Sequence, residues 1–119
     1  MPLQTGLAAG TIAMPFDATT ANNFFNAVAI GTLSSSVGAN IATATFYDQN
    51  GAQIGTTQAI AAPAGCTSLC HTAFELSPTT SAGAFTGTGT VVFTGTSLIG
   101  LGLRGSQYGT LTDVPVVAH

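Results

Sequence analysis

The chain has 119 residues, 45% of them hydrophobic and 4% charged, with a single Lys or Arg, four carboxylates and a formal net charge of −3. One cation cannot neutralise a run of phosphates, so nucleic acid is excluded as a partner. Apolar stretches such as residues 28–33 are broken by Gly, Thr or Asn well short of the ~20 residues of a membrane helix, and no basic face exists for a helix lying on a bilayer, so no membrane span is expected.

The length suits one domain with its own core. Twenty Thr and eight Ser accompany the Val, Ile and Phe, and strong helix formers other than Ala and Leu are scarce, which predicts an all-β fold. The first strand is predicted over residues 11–17. The second, over 24–33, alternates loosely, with Phe25, Ala27, Ala29 and Gly31 on one face and Phe24, Val28 and Ile30 on or near the other, and is expected to lie centrally. After Ser34-Ser35-Ser36, residues 41–47 set Ile41, Thr43, Thr45 and Tyr47 against Ala42, Ala44 and Phe46. The turn Asp48-Gln49-Asn50-Gly51 then leads to a strand over 53–60, with Asn50-Gly51 offering the positive φ values of a tight hairpin.

Pro63-Ala64-Gly65 ends that hairpin. A short strand is expected over 71–76, then a polar loop from Ser77-Pro78 to Gly83, then strands over 88–94, 97–104 and 108–117, the last containing Pro115 and so suited to an edge. About eight strands with no helix long enough for a parallel crossover imply an antiparallel two-layer β-sandwich of Ig-like type. Residues 15–119 form the sandwich domain. Residues 1–14 are set apart as an N-terminal segment, with Leu3, Leu7 and Ile12 as candidate contacts to a neighbouring copy, offered as an added strand. Residues 1–10 lack the basic start and apolar middle of a signal peptide, which points to an intracellular chain or a mature, processed one.

The ordered series Ala13-Met14-Pro15-Phe16-Asp17, Ala42-Thr43-Ala44-Thr45-Phe46-Tyr47-Asp48-Gln49-Asn50-Gly51, His71-Thr72-Ala73-Phe74-Glu75-Leu76-Ser77, Leu101-Gly102-Leu103-Arg104 and Leu111-Thr112-Asp113-Val114-Pro115-Val116 resembles a domain that recurs in secreted and surface proteins of environmental bacteria. The resemblance spans residues 11–118 and implies an extracellular β-sandwich, often a building block of longer chains, with no ligand to carry over. Where that domain runs from a Gly turn straight into His-Thr-Ala-Phe, this chain has Cys66-Thr67-Ser68-Leu69-Cys70.

Two cysteines in a secreted domain most simply form one disulfide, Cys66 to Cys70. The competing reading is a Cys-x-x-x-Cys-His variant of the covalent haem motif, with His71 as axial ligand and His119, Met14 or Met1 as the second. Structural zinc would want four well-spaced ligands, so no metal is expected. No Gly-x-Ser-x-Gly elbow is present and no enzyme activity is expected; the carboxylates Asp17, Asp48, Glu75 and Asp113 sit in structural contexts. Asp48 with Asn50 and Gly51 resembles the start of a calcium loop but lacks the acidic ligands that should follow, leaving a turn. Arg104 is expected to pair with Glu75 or Asp113. Phe24, Phe25, Tyr47 and Tyr108 are candidates for a sugar-stacking platform, against core packing as the default.

Three functions follow. A surface almost without Lys and Glu does little to keep strand edges apart, so the first is a structural subunit that polymerises into an extracellular filament or surface sheet. The second is an adhesion, carbohydrate-binding or spacer module of a larger secreted protein. The third is a haem-bearing electron carrier. The dense Thr and Ser also offer sites for O-linked glycans, whereas no Asn-x-Ser/Thr sequon is present.

Overall fold

The alternation of apolar with hydroxyl-bearing residues produces strands throughout the computed structural model, which describes residues 9–21, 24–80, 83–106 and 111–119. Ten strands form among them: β1 (Ala9–Asp17), β2 (Phe25–Thr32), β3 (Asn40–Asp48), β4 (Gln53–Ala61), β5 (His71–Glu75), β6 (Thr79–Thr80), β7 (Gly83–Ala84), β8 (Thr88–Gly105), β9 (Leu111–Val114) and β10 (Val117–Ala118). Every pairing is antiparallel and no helix is present among the described residues, as the composition predicts.

The strand count differs from the expected eight at three places. Residues 88–94 and 97–104, expected as two strands, are one long strand, β8, bent where Ser97 adopts a φ of 50°. The strand expected over 108–117 is broken at Pro115, which has no N–H to give a ladder, so β9 and β10 are separate. The polar loop after Ser77 contains the small hairpin β6–β7.

Because β8 bends, its two halves belong to two layers. The first half lies between β1 (Thr11↔Thr94 to Asp17↔Thr88) and β3 (Ala42↔Gly95 to Asp48↔Gly89). The second half lies between β2 (Thr32↔Leu98 to Phe25↔Gly105) and β9 (Gly102↔Val114 to Gly105↔Leu111). Layer one therefore runs β10-β1-β8-β3-β4 and layer two runs β9-β8-β2-β5.

Between the layers lie Ile12, Met14, Phe16, Val28, Ile30, Phe46, Val91, Phe93 and Leu98. Phe16 meets Phe46 edge to face at 5.7 Å between ring centroids, and Phe74 of layer two meets Phe93 of layer one at 6.5 Å. The layers pack tightly at Gly102, where a Cβ would sit 3.0 Å from Met14 Cε of layer one and 2.8 Å from the carbonyl oxygen of its own neighbour Val114. Only glycine lets Met14 reach that depth. Asn26, itself buried, ties the two layers together at one end: its Nδ2 donates to the Asp17 carbonyl at 2.6 Å and its Oδ1 accepts from the Asp17 N–H at 3.1 Å.

The expected division after residue 14 falls inside β1. Ile12, expected to touch a neighbouring copy, is fully buried in its own chain, because the register Ile12↔Phe93 turns it into the core. Leu3 and Leu7 lie outside the described residues.

Candidate functional site

Cys66 and Cys70 form a disulfide, with their Cα atoms 5.9 Å apart. The loop it closes is docked on residues 32–37: the Val37 N–H donates to the Thr67 carbonyl, the Leu69 N–H to the Ser34 carbonyl and the Thr32 N–H to the Cys70 carbonyl. Cys70 is buried in the core, while Leu69, at φ 51°, holds its side chain out in solvent. The bridge engages both sulfurs, so neither is left for a thioether to haem. Of the proposed axial ligands, His71 is exposed on β5, Met14 is buried in the core, and the backbone of His119 is bonded to Thr11 in layer one. Met1 lies outside the described residues.

Closing so short a loop restricts the unfolded chain by only about 2 kcal/mol. The Cys66→Ala/Cys70→Ala variant is expected to melt about 8 °C lower, and added reductant should lower native protein by a similar amount in a thermal melt. A drop of less than about 2 °C would show that the hydrogen bonds to residues 32–37 hold the loop without the bridge.

Asp48 holds its own turn together. Its Oδ1 accepts the N–H groups of Asn50 at 2.9 Å and Ala52 at 3.0 Å, and its carbonyl accepts from Gly51 at 3.0 Å. The predicted hairpin is present, but only Gly51 takes a positive φ, 84°, giving a three-residue loop rather than the tighter one expected of Asn50-Gly51.

Arg104 does not sit where its expected partners do. It pairs with Asn26 and Thr112, which places it on the inner face at one end of the sandwich. Glu75 aligns through Ala27 with Leu103, and Asp113 aligns with Leu103 directly, so alternation turns both carboxylates toward the opposite face. The guanidinium lies over the Phe24 ring at 5.1 Å from its centroid, with Nε buried and without a hydrogen-bond partner among the described residues. Phe24 and the exposed Phe25 serve different surroundings, and Tyr47 belongs to layer one, so they form no joint platform. Tyr108 lies outside the described residues.

Two surface features not expected from the sequence have the character of contact sites. The centre of the outer face of layer two is apolar, with Phe25, Ala27 and Ala29 of β2, Ile99, Leu101 and Leu103 of β8, Ala73 of β5 and the exposed Leu111 of β9, while the edge strands add His71 and Glu75 (β5) and Asp113 (β9) to the same face. A hollow of about 200 Å³ lies within it, lined by Ala29, Gly31, His71, Ala73, Ile99 and Leu101. The second feature is a cleft of about 280 Å³ between β4 and β5, lined by Ala44, Phe46, Gln58, Ile60, Thr72 and Phe74 among others.

No group of three or more His, Cys, Asp or Glu among the described residues could hold a metal ion. No family model, no curated protein and no solved structure matches the chain.

Proposed function

We propose that the chain is a structural subunit of an extracellular filament or surface sheet built from copies of itself. The observation that carries this reading is the apolar centre of the outer face of layer two, flanked by Glu75 and Asp113 on its edge strands. Ile99, Leu101 and Leu103 point away from the core while glycines take the inner positions beside them. Soluble monomers rarely leave a contiguous apolar sheet face open to water, and such a face marks an interaction surface. Support comes also from the near absence of Lys and Glu, which leaves little to oppose association. The disulfide is compatible with an oxidising compartment outside the cytosol.

Negative-stain electron microscopy of native protein is expected to show regular filaments or sheets. Dispersed monomers persisting at high concentration would overturn the reading. Leu101→Lys/Leu103→Lys, which places two charges on the outer face and leaves the core intact, is expected to separate laterally packed material into thin single filaments.

A second reading, a carbohydrate-binding or spacer module, draws on a depression of about 430 Å³ in layer one lined by Tyr47, Thr90, Val92 and His119. A half-buried tyrosine beside hydroxyl groups suits a sugar ring. Specific retention on a glycan array, lost on Tyr47→Ala, would favour it.

A further inference from the structure

The two flanks of the sandwich are finished differently. On one flank the chain passes from β9 through Pro115 to β10, and Val116 closes the gap, lying where a Cβ on Gly100 would be 3.2 Å from it. On the other flank β4 of layer one and β5 of layer two bound the 280 Å³ cleft. Among the described residues β5 pairs only with β2, and β4 pairs only with β3. Beside the cleft neither carries a further paired strand among the described residues, although β6 packs against β4 near Gly55, where an added Cβ would meet the Thr79 carbonyl. The sequence of β4, Gln-Ile-Gly-Thr-Thr-Gln-Ala-Ile-Ala, has neither the charge nor the proline that commonly blunts an edge.

We infer that this cleft is a strand acceptor and that its occupant is residues 1–8 of a second copy of the chain. The inference rests on the assembly reading above and names the contact that would link subunits end to end. Residues 1–8 carry no charged side chain, and Leu3 and Leu7, four positions apart, fall on one face of an extended strand about 13 Å apart. That spacing matches four residue steps of an edge such as residues 57–61, and the cleft floor of Phe46, Ile60 and Phe74 is apolar.

Reach decides between a chain's own cleft and a neighbour's. β4 lies three strand spacings from β1, about 14 Å at about 4.8 Å each. Leu7 is only two residues before Ala9, the start of β1, and so reaches about 7 Å from it. Leu7 cannot reach its own cleft, so a segment that seats both leucines in one cleft comes from another copy. Because the donor and acceptor surfaces differ, the contact is head to tail and propagates into a filament.

The test uses two full-length variants that leave the core untouched. Leu3→Asp/Leu7→Asp spoils the donor, and Gln58→Lys, at an exposed position lining the cleft, spoils the acceptor. With melting temperatures near native, each alone is expected to lose assembly at least tenfold by sedimentation velocity. Mixed, they should form a 1:1 dimer and nothing longer, since one sound donor meets one sound acceptor. In Leu7→Cys/Gln58→Cys, a non-reducing gel should show a ladder of linked chains. If both charge variants assemble as native protein does, or the mixture stays monomeric, the strand proposal fails while the assembly reading stands. A cyclised monomer in the cysteine variant would make the occupant the chain's own segment and overturn the proposal. Native protein that never assembles sinks both readings together.

Discussion

Phe93→Ala should cost about 3–5 kcal/mol of unfolding free energy, a large share of the roughly 5–15 kcal/mol available to a domain of this kind. Phe93 is fully buried in the middle of layer one, paired with Ile12 of β1 and Ala44 of β3, and its ring meets Phe74 across the interior. Truncation removes the contact between layers and leaves a void that neither neighbouring strand can collapse into, since both are fixed by ladder hydrogen bonds. A melting temperature about 10–20 °C below native is the expected reading. Phe93→Leu, which fills most of the volume, should recover more than half of the loss. A Phe93→Ala melt within about 3 °C of native would mean that the layers are not held together at this ring.

Gly89→Ala adds one methyl group and is expected to destabilise by about 3 kcal/mol, the upper end of the usual range for overpacking. Gly89 faces inward between Asp48 of β3 and Phe16 of β1. A Cβ there would run into the Tyr47 carbonyl oxygen and stand 2.9 Å from Phe16 Cζ. The ring could rotate away, but the carbonyl belongs to the β3–β8 ladder and cannot move without opening it. Denaturant titration should show a lower midpoint. Because Phe16 shares the space, Gly89→Ala/Phe16→Leu should be less destabilised than the sum of the single changes, a coupling that a double-mutant cycle measures directly.

The all-β class, the Asp48 turn and most strand positions could be read from the sequence, because they depend on local alternation and turn chemistry. The Cys66–Cys70 bridge was legible for a similar reason, since only two cysteines are present and three residues lie between them. The apolar face of layer two was not. In Leu98-Ile99-Gly100-Leu101-Gly102-Leu103, size argues that Ile99, Leu101 and Leu103 are core and the glycines surface, yet the glycines face inward to admit Ile12 and Met14 from β1. Which parity is inside depends on a partner about 85 residues away, and no local pattern carries that information. The surroundings of Arg104 were hidden for the same reason, as parity places Glu75 and Asp113 on the face opposite the one its register assigns to the cation. Ile12 reads as part of a Gly- and Ala-rich leader, and only its pairing with β8 makes it core.

The shared strand also governs how the fold can be reached in time. While a chain is synthesised from its N-terminus, the β3–β4 hairpin can form early and β2 can find β5, but β1 has no partner until β8 appears about 80 residues later. Neither layer can close before Gly105, since the same strand is the centre of both. Contacts so distant along the chain make folding slow relative to a helical domain of this size, with the main barrier at the docking of β8. Unpaired, apolar and nearly uncharged strands must therefore wait together, which places the greatest exposure to misassociation just before completion and makes the final strand's arrival a single event that commits both halves.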